Sequence, residues 1–208
     1  MIVMDRLVRR ALATLSLIFI LAAPAGAEGP PSKSIVDFNA TLVDAMRSAD
    51  TLGLEGRYEM LAPALTQLFN FPEMTRIAAG RHWQQMSAAE REHLTDVFMR
   101  MSITTYAARF DGYSGERFEV LGERPALRGS FLVENKIVKP SGETVPINYL
   151  LRQYDGEWRV VDVLLDAKYS ELAVRRSEFV SILKSKGYDE LISRLQDMIA
   201  KLEAKAKN

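Results

Sequence analysis

The 208-residue chain contains no cysteine. That absence excludes disulfides, a thiol nucleophile, thiol redox chemistry and a thiolate-bound metal. Histidine is nearly as scarce, with only His82 and His93. A metal site needs convergent ligands, and nothing is spaced to join these two, so both are expected to face solvent. No charge excess exists either: 27 Lys and Arg balance 27 Asp and Glu. A nucleic-acid partner requires a basic footprint, and tight attraction to an anionic membrane surface requires the same. No internal repeat or low-complexity tract is present beyond residue 27. The remaining inventory favours a single packed domain without a cofactor, a metal or a thiol nucleophile.

The first 27 residues read as an address. Arg6, Arg9 and Arg10 form a basic start. Ala11 to Ala23 is then apolar apart from Thr14 and Ser16, and Ala25-Gly26-Ala27 ends in a small-x-small pattern. This order is that of a secretory signal peptide, with cleavage expected after Ala27. The apolar run falls short of the roughly 20 residues that a spanning helix needs. No cysteine follows the cleavage point, so no lipidated N-terminus is expected. The expected divisions are a signal peptide over 1–27, a flexible leader over 28–34 and one domain over 35–204. Without its signal the chain is slightly acidic.

Apolar spacing then predicts helices. Ile35, Phe38, Leu42 and Met46 recur every three or four residues, the mark of one buried face, with Ser32 or Ser34 as the cap. Tyr58, Leu61, Leu65 and Leu68 make a second stripe, over about Leu54–Phe69, with Pro63 a candidate kink. Pro72 suits the first turn of a short helix that Gly80 ends. Ser87 and Glu90 form a capping box, and the long helix behind it runs to about Phe110. Leu94, Phe98, Met101, Thr105 and Phe110 lie on or near its inner face.

From about Arg117 the apolar period changes to two, and four strands are predicted. They are Phe118–Leu121, Gly129–Val138, Thr144–Gln153 and Trp158–Leu165. Asp155-Gly156 is a hairpin signal. Two helices close the chain, about Tyr169–Lys184 and Tyr188–Ala204, separated by Gly187. Helices segregated from a hairpin-linked sheet indicate α+β. The expected architecture is a curved antiparallel sheet of about four strands with helices on its concave face. Val145, Ile147, Tyr149 and Leu151 share one face of their strand. In the last strand, Val161, Val163 and Leu165 are expected to point one way and Trp158, Val160 and Leu164 the other. Periodicity alone fits an ordinary core as well as a cavity for an apolar ligand. Adaptable Met and aromatic walls favour the cavity modestly.

Specific residues narrow the choice. Phe69-Asn-Phe71-x-x-Met74-Thr75-Arg76-x-Ala78-x-Gly80-x-x-Trp83 resembles the signature of the MlaC family of lipid carriers. Ser87-x-x-Glu90-Arg91 with Phe98 and Tyr106-Ala107 resembles the long helix that follows it there. Tyr149-x-Leu151, Trp158-Arg-Val160-Val-Asp162-Val163 and Arg176-x-Glu178-Phe179 match the last two strands and the next helix. The resemblance spans about Ile35 to Leu195. The chain departs from the family at Asp166-Ala-Lys-Tyr-Ser170, where a glycine and a serine-leucine pair are usual. The hopanoid-associated (HpnM-like) branch shows such drift.

The resemblance implies a periplasmic, non-enzymatic carrier of a phospholipid or a hopanoid. Its implied partners are an inner-membrane ABC-transporter lipid-transfer complex and an outer-membrane complex. Tail contact is then expected from Tyr149, Leu151, Val163 and Leu165 on the sheet, with Phe98, Met101 and Phe110 opposite. Trp83 is expected to anchor helix packing. Asp162, amid apolar neighbours, is expected to be bonded to backbone amides or to Arg76. Two other readings compete. One is an isomerase- or dehydratase-like enzyme that pairs Asp162 with Tyr149. The other is an adaptor that docks on a membrane complex without cargo.

Overall fold

A computed structural model describes residues 29–206. The expected signal peptide lies outside the described residues. The elements run α1 (Pro31–Arg47), α2 (Ala49–Leu68), α3 (Phe71–Ala79), a 3₁₀ segment (Gly80–Gln85) and α4 (Ala88–Arg109). There follow β1 (Arg117–Pro125), β2 (Phe131–Val138), β3 (Thr144–Tyr154), β4 (Glu157–Leu165) and β5 (Tyr169–Ser170), then α5 (Glu171–Ser185) and α6 (Tyr188–Lys205). The fold is α+β, with one antiparallel sheet in the order β1-β2-β3-β4-β5. The fifth strand is two residues of the segment expected to begin a helix.

Local chemistry explains most element ends. Asn70 caps α3 by accepting the Glu73 N–H at 3.0 Å. Ser87 and Glu90 form the capping box of α4. Ser170 accepts the Ala173 N–H at 2.8 Å and caps α5. The first helix differs from expectation, starting at Pro31 with neither serine as its cap. Proline fits a first turn because its missing N–H costs nothing there. The next N–H, of Ser32, is taken by the Glu123 carboxylate on β1 at 2.7 Å. A long-range contact thus orders residues expected to be a loose leader. In α2 the break falls at Gly53, whose φ of 59° and ψ of −168° are not helical, while Pro63 stays inside the helix.

The helices pack on one face of the sheet. Directly paired residues share a face, so the register assigns it. Ile147, Tyr149 and Leu151 pair with Leu165, Val163 and Val160, and all six belong to the main core. The pairing slips by one residue between Leu150 and Leu151, so β4 carries an extra residue at Val161. This bulge corrects the expected facing of β4. It turns Val160 and Trp158 to the helix side with Val163 and Leu165, because each extra residue reverses the alternation.

An aromatic knot joins the layers. Phe69 lies within 6.5 Å, centroid to centroid, of Phe38, Phe71, Tyr106 and Tyr149. Its backbone also forms a parallel bridge to Val160, and the Asn70 N–H donates to the Val160 carbonyl at 2.9 Å. The link between α2 and α3 therefore covers the edge of β4 that the short β5 leaves open. Elsewhere α6 packs along α4, α5 against α3, and α1 against α2 and β1. Among the described residues, no helix is long and apolar enough to cross a membrane.

Candidate lipid cavity

One hollow lies between the sheet and the helices, with a volume of about 120 Å³ and partly open to solvent. Its floor is Ile147 of β3 with Val163 and Leu165 of β4. Its roof is a stripe of α4, where Phe98, Met101, Ser102, Thr105 and Arg109 follow at helical spacing. Phe69 and Met74 close one side and Leu172 another. Ser102 and Thr105 do not make the wall polar. Ser102 and Thr105 each donate to a carbonyl of their own helix, Phe98 and Met101 respectively, at 2.8 Å. Their carbon atoms are left to the hollow.

The charged members of the lining sit at its exposed end. Arg109 is exposed, and Glu171 and Arg175 are half-buried. The apolar members Phe98, Met101, Phe110 and Leu172 are buried. The site is therefore a small apolar hollow with a charged rim. Grooves elsewhere have another character. The one beside Gly53, of about 810 Å³, is bordered by Glu55, Glu59, Arg100 and Glu203. Charges along its length make it unsuited to hydrocarbon.

The sequence model of the MlaC protein family matches residues 37–197. The chain belongs to the MlaC family. Among solved structures, the chain is similar in fold to a phospholipid-binding protein from Ralstonia solanacearum, determined in complex with a phospholipid. The TM-score is 0.71 at 21% identity, covering 86% of this chain and 99% of that one. No curated protein matches the chain.

The MlaC signature residues occupy structural posts in this chain. Phe69 and Phe71 stack at 5.7 Å, Thr75 and Ala78 are wholly buried, and Met74 borders the hollow. At Gly80, with φ of 59°, a Cβ would come within 3.1 Å of Val180. Glycine is needed there both for the backbone and for the close approach of α5. Trp83 is half-buried at the 3₁₀ segment, under the Arg91 guanidinium, which lies 5.6 Å from the ring centre.

Of the seven residues expected at the lipid, five line the hollow: Phe98, Met101, Phe110, Val163 and Leu165. Tyr149 and Leu151 do not line it. Both are wholly buried, further along the same sheet face beneath the aromatic knot. The Tyr149 hydroxyl lies near that of Tyr106 but is left without a well-formed hydrogen bond. Desolvation pushes the pKa of both phenols up. Sequence reasoning missed Phe69, Met74, Ile147 and Leu172 as wall, and Arg109, Glu171 and Arg175 as rim. Spacing from Phe98 and Thr105 to Ser102 and Arg109 could have extended the α4 stripe. The others come from distant segments that no local pattern joins.

Asp162 is bonded to backbone amides, as one of its two expected alternatives had it, and not to Arg76. Its Oδ1 accepts the Val163 and Leu172 N–H groups at 2.8 and 3.1 Å, and its Oδ2 the Ser170 hydroxyl at 2.6 Å. Arg76 instead binds Glu73 through two contacts at 2.7 and 2.8 Å. Desolvation raises the pKa of Asp162, with Ser170 and the two amides opposing. Asp162 pairs with Leu150 in the sheet, whereas Tyr149 pairs with Val163. Adjacent strand residues face opposite ways, so Asp162 and Tyr149 lie on opposite sides of the sheet. The dyad required by the enzyme reading is not assembled. His93 is exposed and meets the Tyr188 hydroxyl at 3.1 Å. His82 departs from expectation: it is half-buried, and its Nε2 has no partner.

Proposed function

We propose that this protein is a non-enzymatic phospholipid carrier of the periplasm, holding lipid tails between its sheet and its α4 and α5 helices. The observation that carries this reading is the apolar hollow, open at a charged rim, in a chain of the MlaC family. The phospholipid held by the structurally similar Ralstonia protein supports it, as does the signal-like N-terminal sequence. Delivery between an inner-membrane transport complex and an outer-membrane complex completes the proposal.

The physics makes a carrier useful. Exposing an acyl chain to water costs about 0.8 kcal/mol per CH₂, or on the order of 20 kcal/mol for two chains. Spontaneous exchange across an aqueous gap is then very slow. An apolar host offsets most of this cost and needs no chemical step. The hollow at about 120 Å³ is smaller than a cavity of about 150 Å³ that holds one benzene ring. Loading must therefore move the walls apart.

Native mass spectrometry of the protein purified from its own host tests the proposal. A copurifying phospholipid is expected. Val163→Phe, which fills the floor of the hollow, should cut the loaded fraction at least several-fold in a folded protein. Repeated recovery of empty wild-type protein would favour the cargo-free adaptor, and a bound hopanoid would replace phospholipid as the cargo.

A further inference from the structure

The three charges at the rim have unequal partners. Arg109 ends α4, Glu171 begins α5, and Arg175 lies one turn beyond Glu171. Glu171 and Arg175 have the spacing at which opposite charges pair on a helix. They do not pair: Arg175 turns to Glu178 at 2.8 Å. Among the described residues, Arg109 and Glu171 have no ion-pair partner. Both lie close enough to the Tyr106 phenol to bias it in opposite senses, Arg109 favouring its ionised form and Glu171 opposing it. Two separate helix ends thus bring unmatched charges of both signs to one opening.

This arrangement has a chemical complement. A guanidinium binds a phosphate oxygen pair through charge-assisted hydrogen bonds. A carboxylate binds an ammonium group equally directly. A lipid whose tails fill the hollow would hold its headgroup at this rim. We propose that Arg109, Arg175 and Glu171 read that headgroup, and that the preferred cargo is a zwitterionic phospholipid. The two arginines meet its phosphodiester and Glu171 meets its ammonium group. The inference rests on the carrier reading. A neutral polycyclic or isoprenoid lipid would leave Arg109 and Glu171 unmatched. A lipid with phosphate and an uncharged polyol would satisfy the arginines and leave Glu171 facing no cation.

The test uses three probes with the same tails: dilauroyl phosphatidylethanolamine, dilauroyl phosphatidylglycerol and dilauroylglycerol. Lipid-free protein is offered equal amounts of them in mixed vesicles, and native mass spectrometry reads what it captures. The wild type should take the ethanolamine lipid over dilauroylglycerol by about tenfold, the scale of one charge-assisted contact. The double variant Arg109→Ala, Arg175→Ala should lose that preference while still loading lipid. Glu171→Gln should erase the preference for ethanolamine over glycerol headgroups alone. Arg109→Gln, at an exposed side chain, keeps the test open should the double variant not fold, and should lower the preference. Equal capture of all three probes by the wild type would overturn the inference and leave the carrier reading standing. Failure to capture any probe would overturn both. Excess inorganic phosphate should not alter the preference; if it abolished it, the arginines would belong to free phosphate instead.

Discussion

Glu73 illustrates how one carboxylate is fixed by its neighbours. Its side chain is only 16% exposed and accepts two contacts from Arg76, with Arg152 at 3.7 Å. The Arg76 hydrogen bonds hold its pKa below the ordinary glutamate value, against desolvation, with Arg152 adding to the effect. A pKa lower in the folded than in the unfolded chain stabilises the fold above the unfolded value. That contribution is lost as pH falls through the folded value. Urea midpoints should therefore decline below about pH 4.5 in the wild type, and Glu73→Gln should flatten part of that decline. An identical slope in the variant would show that Glu73 contributes nothing to it. Asp162 acts in the opposite sense, since burial disfavours its charged form and so raises its pKa. Arg57 shows a buried cation without a carboxylate. Its guanidinium donates to the Ala107 and Ala49 carbonyls at 2.9 and 3.0 Å. The first lies near the carboxyl end of α4, where partial negative charge gathers. Its spacing from Leu54 and Leu61 puts it on the apolar face of α2, but its charge gave no sign of burial.

At the scale of elements, the junction between β4 and β5 is strained. Asp166 and Ala167 have φ of 49° and 56°, and the Lys168 N–H donates back to the Leu165 carbonyl at 3.0 Å. Two successive left-handed residues make a tight hairpin turn of the type that favours Asn-Gly. Alanine in that region costs roughly 1–2 kcal/mol. Glycine removes this cost but gives back about 0.5–1 kcal/mol through the freedom of its unfolded chain. Ala167→Gly should thus stabilise the protein by about 0.5–1 kcal/mol, read as a higher urea midpoint at unchanged slope. No gain would mean that the turn is relaxed in solution. The unusual Asp166-Ala167 pair was visible in the sequence, but its backbone conformation was not. The strands themselves were legible within a few residues, because their alternation survives in the side chains. The facing of Trp158 and Val160 was not, because a bulge has no composition signal of its own.

At the scale of the molecule, the size of the hollow sets the cost of loading. Its walls are secured very unequally. α4 buries seven residues, including Leu94, Val97, Phe98 and Met101, whereas α5 buries only Leu172 and Phe179. Displacing a wall exposes its buried apolar surface at about 25 cal/mol per Å², so α5 is the cheaper one to move. Hydrogen exchange of loaded against lipid-stripped protein should change most over Glu171–Ser185 and least over α1 and α2. A change confined to α1 would place the moving wall elsewhere.

The sequence by itself determined the helices, the hairpin-linked strands, the α+β class and the exclusion of thiol chemistry. These follow from local periodicity, caps and composition, which each segment carries alone. Five of the seven residues expected at the cargo line the hollow, since Phe98, Met101, Phe110, Val163 and Leu165 recur on faces that any core or cavity must use. Only the tertiary structure decided that Tyr149 and Leu151 sit in packed core while Phe69, Met74 and Leu172 border a hollow. It also brought Arg109 to the same opening as Glu171 and Arg175, from opposite sides of the sheet in sequence. Whether an apolar side chain meets a neighbour or a void depends on distances between segments far apart in the chain, and no local pattern encodes them.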